Sequence, residues 1–133
     1  MKKLDNFSRS LSILKKADFD QASENEIYRM GVIGQFNLTL ELAWKAMQSI
    51  LRKHGITEAE TGSPREVVQL GYKYGILNDS EVWLLMLKKR NILTHVYDED
   101  EACELVIQIR DSFIHAFREL EVVLKEKIEE VED

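Results

Sequence analysis

The residues best equipped for chemistry lie between Arg90 and Tyr97, in the run Arg-Asn-Ile-Leu-Thr-His-Val-Tyr. A permanent cation, an amide, a hydroxyl, an imidazole and a phenol crowd into this short stretch. Arginine grips a phosphate through parallel N–H donors and offsets charge that develops on it. Histidine takes or gives a proton near neutral pH. Together these are the parts of metal-free phosphodiester chemistry, in which the 2′-hydroxyl of an RNA substrate is itself the nucleophile. Arg90 and His95 are therefore the catalytic candidates. Asn91, Thr94 and Lys89 are candidate substrate contacts, and Tyr97 could stack on a base or accept a modification. A plainer reading stands beside this one: a histidine near a helix end can simply bond the last carbonyls.

Geometry restricts how these groups could cooperate. On a straight helix each residue turns by about 100°, so Arg90 and Tyr97 share a face, as do Asn91 and His95. Arg90 and His95 would lie about 140° apart. Either the helix ends near Thr94 and frees His95 and Tyr97, or Arg90 of one subunit meets His95 of another across a two-fold axis.

The flanking sequence places this cluster at the end of one helix and before another. Upstream, Asn78-Asp79-Ser80 opens a helix that Val82, Trp83, Leu85, Met86 and Lys89 to Asn91 carry to the cluster. Downstream, Asp98 and Glu101 repeat the spacing of a capping box, and their carboxylates suit a helix N-terminus. From there Ala102, Leu105, Val106, Ile109, Phe113, Phe117, Leu120 and Leu124 keep an amphipathic period. Beyond Lys125 the chain is charged and is expected to fray. Earlier, Phe7, Leu11 and Leu14 predict a helix from about residue 4 to 17. Asp18 to Asn25 either extends it or links it to the next.

The longest predicted helix spans about 25 to 54. Ile33, Phe36, Leu40, Trp44, Met47 and Leu51 form one apolar stripe, and Leu38, Leu42 and Ala46 a second. Two apolar faces place a helix centrally in a bundle or between subunits. Gly31 and Gly34 fit either a close helix approach or simple tolerance. Glu41, between two leucines, reads as a buried functional carboxylate or as a solvated or interface one. His54-Gly55 is a C-terminal arrangement. Ser63-Pro64-Arg65-Glu66 is a capping box with proline at the first position. The next helix should turn Val67, Leu70 and Tyr74 inward and close at Gly75. No stretch alternates like a strand. The expected fold is all-α: an up-and-down four-helix bundle with an additional helix, five in all, in a single domain over 1–133 with a charged tail from about 125.

Composition narrows the classes. A net charge of −6 argues against broad duplex binding, but leaves room for a local basic pocket such as Lys88, Lys89 and Arg90. The lone Cys103, read as a small core residue, excludes an internal disulfide and a cysteine-rich zinc site. The three histidines show no ligand spacing, so neither a metal nor a cofactor is expected. No segment approaches the roughly 20 apolar residues of a membrane span. The basic start, Met1-Lys2-Lys3, is interrupted too soon for a secretory leader. A cytoplasmic location is expected.

Three stretches carry a resemblance: Phe36 to Lys45 (Phe-Asn-Leu-Thr-Leu-Glu-Leu-Ala-Trp-Lys), Ser63 to Val68 (Ser-Pro-Arg-Glu-Val-Val) and Arg90 to Glu99 (Arg-Asn-Ile-Leu-Thr-His-Val-Tyr-Asp-Glu). In this order the chain resembles the nucleotidyltransferase substrate-binding proteins, HepT-like members of the HEPN superfamily. The resemblance implies a five-helix protein built on a four-helix bundle, a homodimer, and a separate minimal nucleotidyltransferase as partner, often as a toxin–antitoxin pair. It implies that Arg90 and His95 correspond to the Arg-x4-His centre of HEPN ribonucleases, with Asn91 as the polar residue after the arginine. It implies that Tyr97 corresponds to the tyrosine that the partner adenylylates in related toxins. Lys89 stands where an acidic residue is common, and Thr94 where serine is. Two functions follow: a subunit that binds a nucleotide or RNA for the partner enzyme, or a metal-independent ribonuclease controlled at Tyr97. A helical adaptor whose polar cluster merely closes a helix is the third reading.

Overall fold

The computed structural model describes residues 1–90 and 98–132, and every element among them is helical. In chain order these are α1 (Lys2–Lys15), α2 (Phe19–Glu24), α3 (Glu26–Lys53), a 3-10 turn (Thr57–Glu60), α4 (Pro64–Lys73), α5 (Ser80–Lys89) and α6 (Glu99–Gln108). Helix α6 continues through a π turn, Ile109–Phe113, into α7 (Ile114–Glu132). The all-α bundle is as expected. With α6 and α7 taken as one rod, the described residues hold five long helical segments and one short addition. That addition is α2, which lies between Asp18 and Asn25. It forms because the Asp18 carboxylate accepts from the Gln21 N–H at 3.0 Å, while Asn25 caps α3 by accepting from the Tyr28 N–H at 2.8 Å.

Helix α3 is the axis of the bundle, with α1, α2, α4, α6 and α7 packed around it. Its Ile33, Phe36, Leu40, Met47 and Leu51 are buried, as their spacing demands. Phe117 on α7 is the hub of the aromatic core. Its ring lies 6.1 Å from Phe7, 6.0 Å from Phe36 and 5.6 Å from Trp83, joining α1, α3, α5 and α7. Each such pair adds about 0.5–1.5 kcal/mol beyond simple burial. Glycines end α3 and α4 because Gly55 (φ 83°) and Gly75 (φ 80°) occupy the left-handed region that closes a helix.

The π turn has a cause in the sequence. Leu105, Ile109, Phe113 and Phe117 recur every fourth residue, and on an ideal α-helix each such step drifts by about 40°. The wider π turn absorbs that drift and keeps Ile109, Phe113 and Phe117 buried.

Several expected positions are corrected. Leu38 is 50 % exposed and Trp44 only half-buried, because the chain's own helices cover a narrower face of α3 than its apolar residues span. A side chain at Gly31 or Gly34 would meet nothing within 4 Å, so no close helix approach explains them within the chain. The close approach falls at Gly71 instead, where a Cβ would run into Sδ of the buried Met47. Tyr74 turns outward to bond Glu58, and Cys103 is half-buried. Helix α7 continues beyond Lys125. It runs to Glu132 with Ile128 buried, and the Lys127 carbonyl accepts from Nε2 of His54 at 2.9 Å.

Candidate functional site

Arg90 is the C-cap residue of α5, in α-helical geometry (φ −57°, ψ −22°), with its N–H bonded to the Met86 carbonyl at 3.0 Å. The buried Trp83 and Met86 of α5 and the Asp79 cap, which accepts from the Glu81 N–H at 2.9 Å, set the helix that ends there. Lys89 lies beside it, half-buried, in the last turn. Asn91, Thr94, His95 and Tyr97 lie outside the described residues, so the structure places Arg90 and Lys89 of the sequence-derived candidates. On the far side of the segment, Asp98 caps α6 by accepting from the Glu101 N–H at 3.2 Å, as its spacing suggests.

The charge of Arg90 is felt on α3. There Glu41 accepts from the Trp44 indole N–H at 3.0 Å and pairs with Lys45 at 3.2 Å. Lys45 in turn sits 5.9 Å from the centre of a Trp44 ring. Partial burial pushes the Glu41 carboxyl up, but the Trp44 N–H, the Lys45 ammonium and the Arg90 guanidinium together hold it below its ordinary value. Glu41 is thus a half-exposed, ionised carboxylate in the field of two cations. The buried reading of it is corrected: the side chain is solvated, because its position on α3 leaves it 43 % exposed, and it feels the charge of the candidate arginine.

Arg90 also lines an open cleft of about 540 Å³ between the start of α4 and the end of α5, together with Ser63, Pro64, Arg65, Leu85 and Lys88. Arg65 did not stand out in the sequence, yet a signal was there. A cation in the first turn of a helix opposes the macrodipole, so helix stability does not explain it.

Arg29 was also missed. Only 3 % exposed, it donates from Nε to the Ala22 carbonyl at 3.0 Å and from Nη2 to the Ser23 carbonyl at 2.9 Å, and it pairs with Glu99 at 3.6 Å. It therefore ties the first turn of α6, just past the polar segment, to α2 and α3. Its signal was periodicity, since Arg29, Val32, Ile33 and Phe36 continue the buried stripe of α3 upstream. Among the described residues, no cluster of three or more His, Cys, Asp or Glu could hold a metal, and no helix is long and apolar enough to cross a membrane.

Among the described residues the chain is an all-α helical bundle built around one long central helix. The chain belongs to the family described as nucleotidyltransferase substrate binding protein like, whose pattern matches residues 2–126. Among similar proteins is a probable ribonuclease HepT of Haemophilus influenzae, 28 % identical over 88 residues, which are 65 % of this chain and 60 % of the relative. The match thus spans less than two thirds of that relative's length. A solved Haemophilus influenzae structure, described as revealing the fold of a substrate-binding domain of a nucleotidyltransferase, superposes with a TM-score of 0.79 at 22 % identity. It covers 92 % of this chain and 98 % of its own. A crystal structure from Thermus thermophilus gives a TM-score of 0.68 at 26 % identity, covering 91 % of this chain and 98 % of that one.

Proposed function

We propose that this chain is the substrate-binding subunit of a cytoplasmic two-component complex, acting as a homodimer with a separate minimal nucleotidyltransferase in a toxin–antitoxin pair. The observation that carries this reading is the family match across residues 2–126. The dimer is supported by α3, where Ile27, Gly31, Gly34 and Leu38 fall on one face, with Ile27 85 % and Leu38 50 % exposed. The ligand is a nucleotide or RNA, whose phosphate suits Arg90 with Lys89 beside it. Asn91, Thr94 and Tyr97 complete the contacts.

A second reading is favoured by the relative named a probable ribonuclease and by the Arg90-x4-His95 spacing. In it the chain cleaves RNA without metal. His95 accepts the 2′-hydroxyl proton as that oxygen forms a bond to phosphorus. The bond from phosphorus to the 5′-oxygen breaks, and the leaving oxygen takes up a proton. Arg90 offsets the charge on the phosphoryl oxygens. Adenylylation of Tyr97 by the partner would silence this activity.

RNA cleavage in EDTA by the wild type and by His95→Ala separates the two. Products ending in 2′,3′-cyclic phosphate, made by the wild type alone, establish the nuclease. Nucleotide or RNA binding with cleavage by neither protein, both folded and dimeric, establishes the binding subunit. A monomeric protein that neither binds nor cleaves refutes both.

A further inference from the structure

We propose that the cleft between α4 and α5 is a second subsite, in which Arg65 and Lys88 hold a phosphate-bearing nucleotide unit next to the one at Arg90. The proposal rests on the reading of Arg90 as a phosphate-binding residue and extends it to a site of at least two units. Three cations line the cleft: Arg65, Lys88 and Arg90. Arg65 and Lys88 are both exposed, and neither has an ion-pair or hydrogen-bond partner among the described residues. With no partner among the described residues, both charges are available to an anion in the one cleft that they line with Arg90.

The nearby acids are otherwise engaged. Glu66 is held in the capping box, its carboxylate accepting from the Ser63 hydroxyl at 3.2 Å, and Glu41 lies with Trp44 and Lys45 on α3. The Ser63 hydroxyl in turn accepts from the Glu66 N–H, so the ligand must be held by the side chains of Arg65 and Lys88. Leu84, Leu85 and Leu87 supply an apolar wall, with Leu85 37 % exposed. Cations beside an apolar surface suit a nucleotide, whose phosphate needs the charge and whose base needs the wall. The volume, about 540 Å³, falls in the range of small-ligand sites.

Two sources share this chemistry, single-stranded RNA and a free nucleotide, and the test separates them. Binding of a fluorescein-labelled oligouridylate of about eight nucleotides and of ATP is measured for wild type, Arg65→Glu, Lys88→Glu and a distant reversal, Lys3→Glu. Each cleft variant should weaken one or both probes at least about fivefold relative to Lys3→Glu. Each should also flatten the salt dependence by about one unit of slope for every phosphate that is no longer neutralised. Weakening for the oligonucleotide alone assigns the subsite to RNA, and equal weakening for ATP assigns it to a nucleotide.

Cleft variants that bind both probes as Lys3→Glu does, while Arg90→Ala fails, overturn the subsite and leave the Arg90 reading standing. Variants that lose only the association with the purified nucleotidyltransferase also overturn it, making the cleft a protein-docking face. A wild type that binds neither probe defeats the subsite together with the reading beneath it.

Discussion

Glu41 on α3 and Arg90 at the end of α5 lie close enough that the guanidinium helps to hold the carboxyl below its ordinary value, against the effect of burial. An anionic ligand at Arg90 would therefore meet a carboxylate already in its field. Glu41→Gln should tighten oligonucleotide or nucleotide binding at neutral pH by about two- to fivefold, the scale of one screened charge. Titrating the binding of both proteins checks this, and weaker binding by Glu41→Gln would instead make the carboxylate a positioning partner that Arg90 needs.

The same carboxyl makes a pH prediction. A depressed value means that ionised Glu41 stabilises the fold at pH above the ordinary carboxyl value, and that this contribution is lost as pH falls through the depressed folded value. Because its side chain is 43 % exposed, the contribution is under about 1 kcal/mol. Urea unfolding of wild type and Glu41→Gln should differ by that small amount at pH 7 and converge in acid.

Gly71→Ala tests the packing of α4 on α3. The new methyl would meet the sulfur of Met47, which is buried and has little room to turn aside. The helix propensity of alanine should be outweighed, with a net loss of about 1–3 kcal/mol, the range for overpacking. Chemical denaturation measures it, and a stabilised variant would show that Met47 gives way freely.

Much of this was readable in the residues. The Ser63–Glu66 spacing became a capping box with both reciprocal bonds, and Asp98 caps α6. These are local signals, settled within four residues. What escaped was decided by tertiary contact. Whether Trp44 and Leu38 are covered depends on how far neighbouring helices reach around α3, and Arg29 is buried because α2 turns its last carbonyls toward it. Arg90 and Lys89 could be nominated from sequence, but their neighbours Glu41 and Arg65 come from α3 and α4, far away in the chain. The π turn was present as a run of four-residue spacings, which an ideal period overlooks.

A buried polar contact fixes α1 against α3. The Ser10 and Thr39 hydroxyls lie 2.8 Å apart, Gln35 donates to the Ser10 hydroxyl at 2.9 Å, and Thr39 also bonds the Gln35 carbonyl at 2.8 Å. Thr39→Val keeps the shape but leaves Ser10 with one partner fewer, for a loss of about 1–2 kcal/mol. Because the three side chains act together, Ser10→Ala with Thr39→Val should cost less than the sum of the single changes. A double-mutant cycle in urea reads the coupling directly, and strict additivity would mean that the hydroxyls act independently.

Arg29 and Glu99 form a pair of unequal partners. Arg29 is 3 % exposed and bonded to two carbonyls, whereas the Glu99 side chain is 71 % exposed. Glu99→Gln removes a screened charge and should change stability by less than about 0.5 kcal/mol. Arg29→Ala strips the Ala22 and Ser23 carbonyls of their donors and opens a cavity, so about 3 kcal/mol or more should be lost. The functional consequence follows from position. Glu99 begins the helix that succeeds the Arg90–Tyr97 run, so Arg29 anchors one end of the polar segment while α5 holds the other. Hydrogen exchange on Arg29→Gln should show faster exchange in α2 and the first turn of α6, with α1 and α7 protected as in the wild type. Ligand binding at Arg90 should weaken in parallel. Binding that stays unchanged while α6 loosens would separate the anchor from the site and leave Arg29 a purely structural residue.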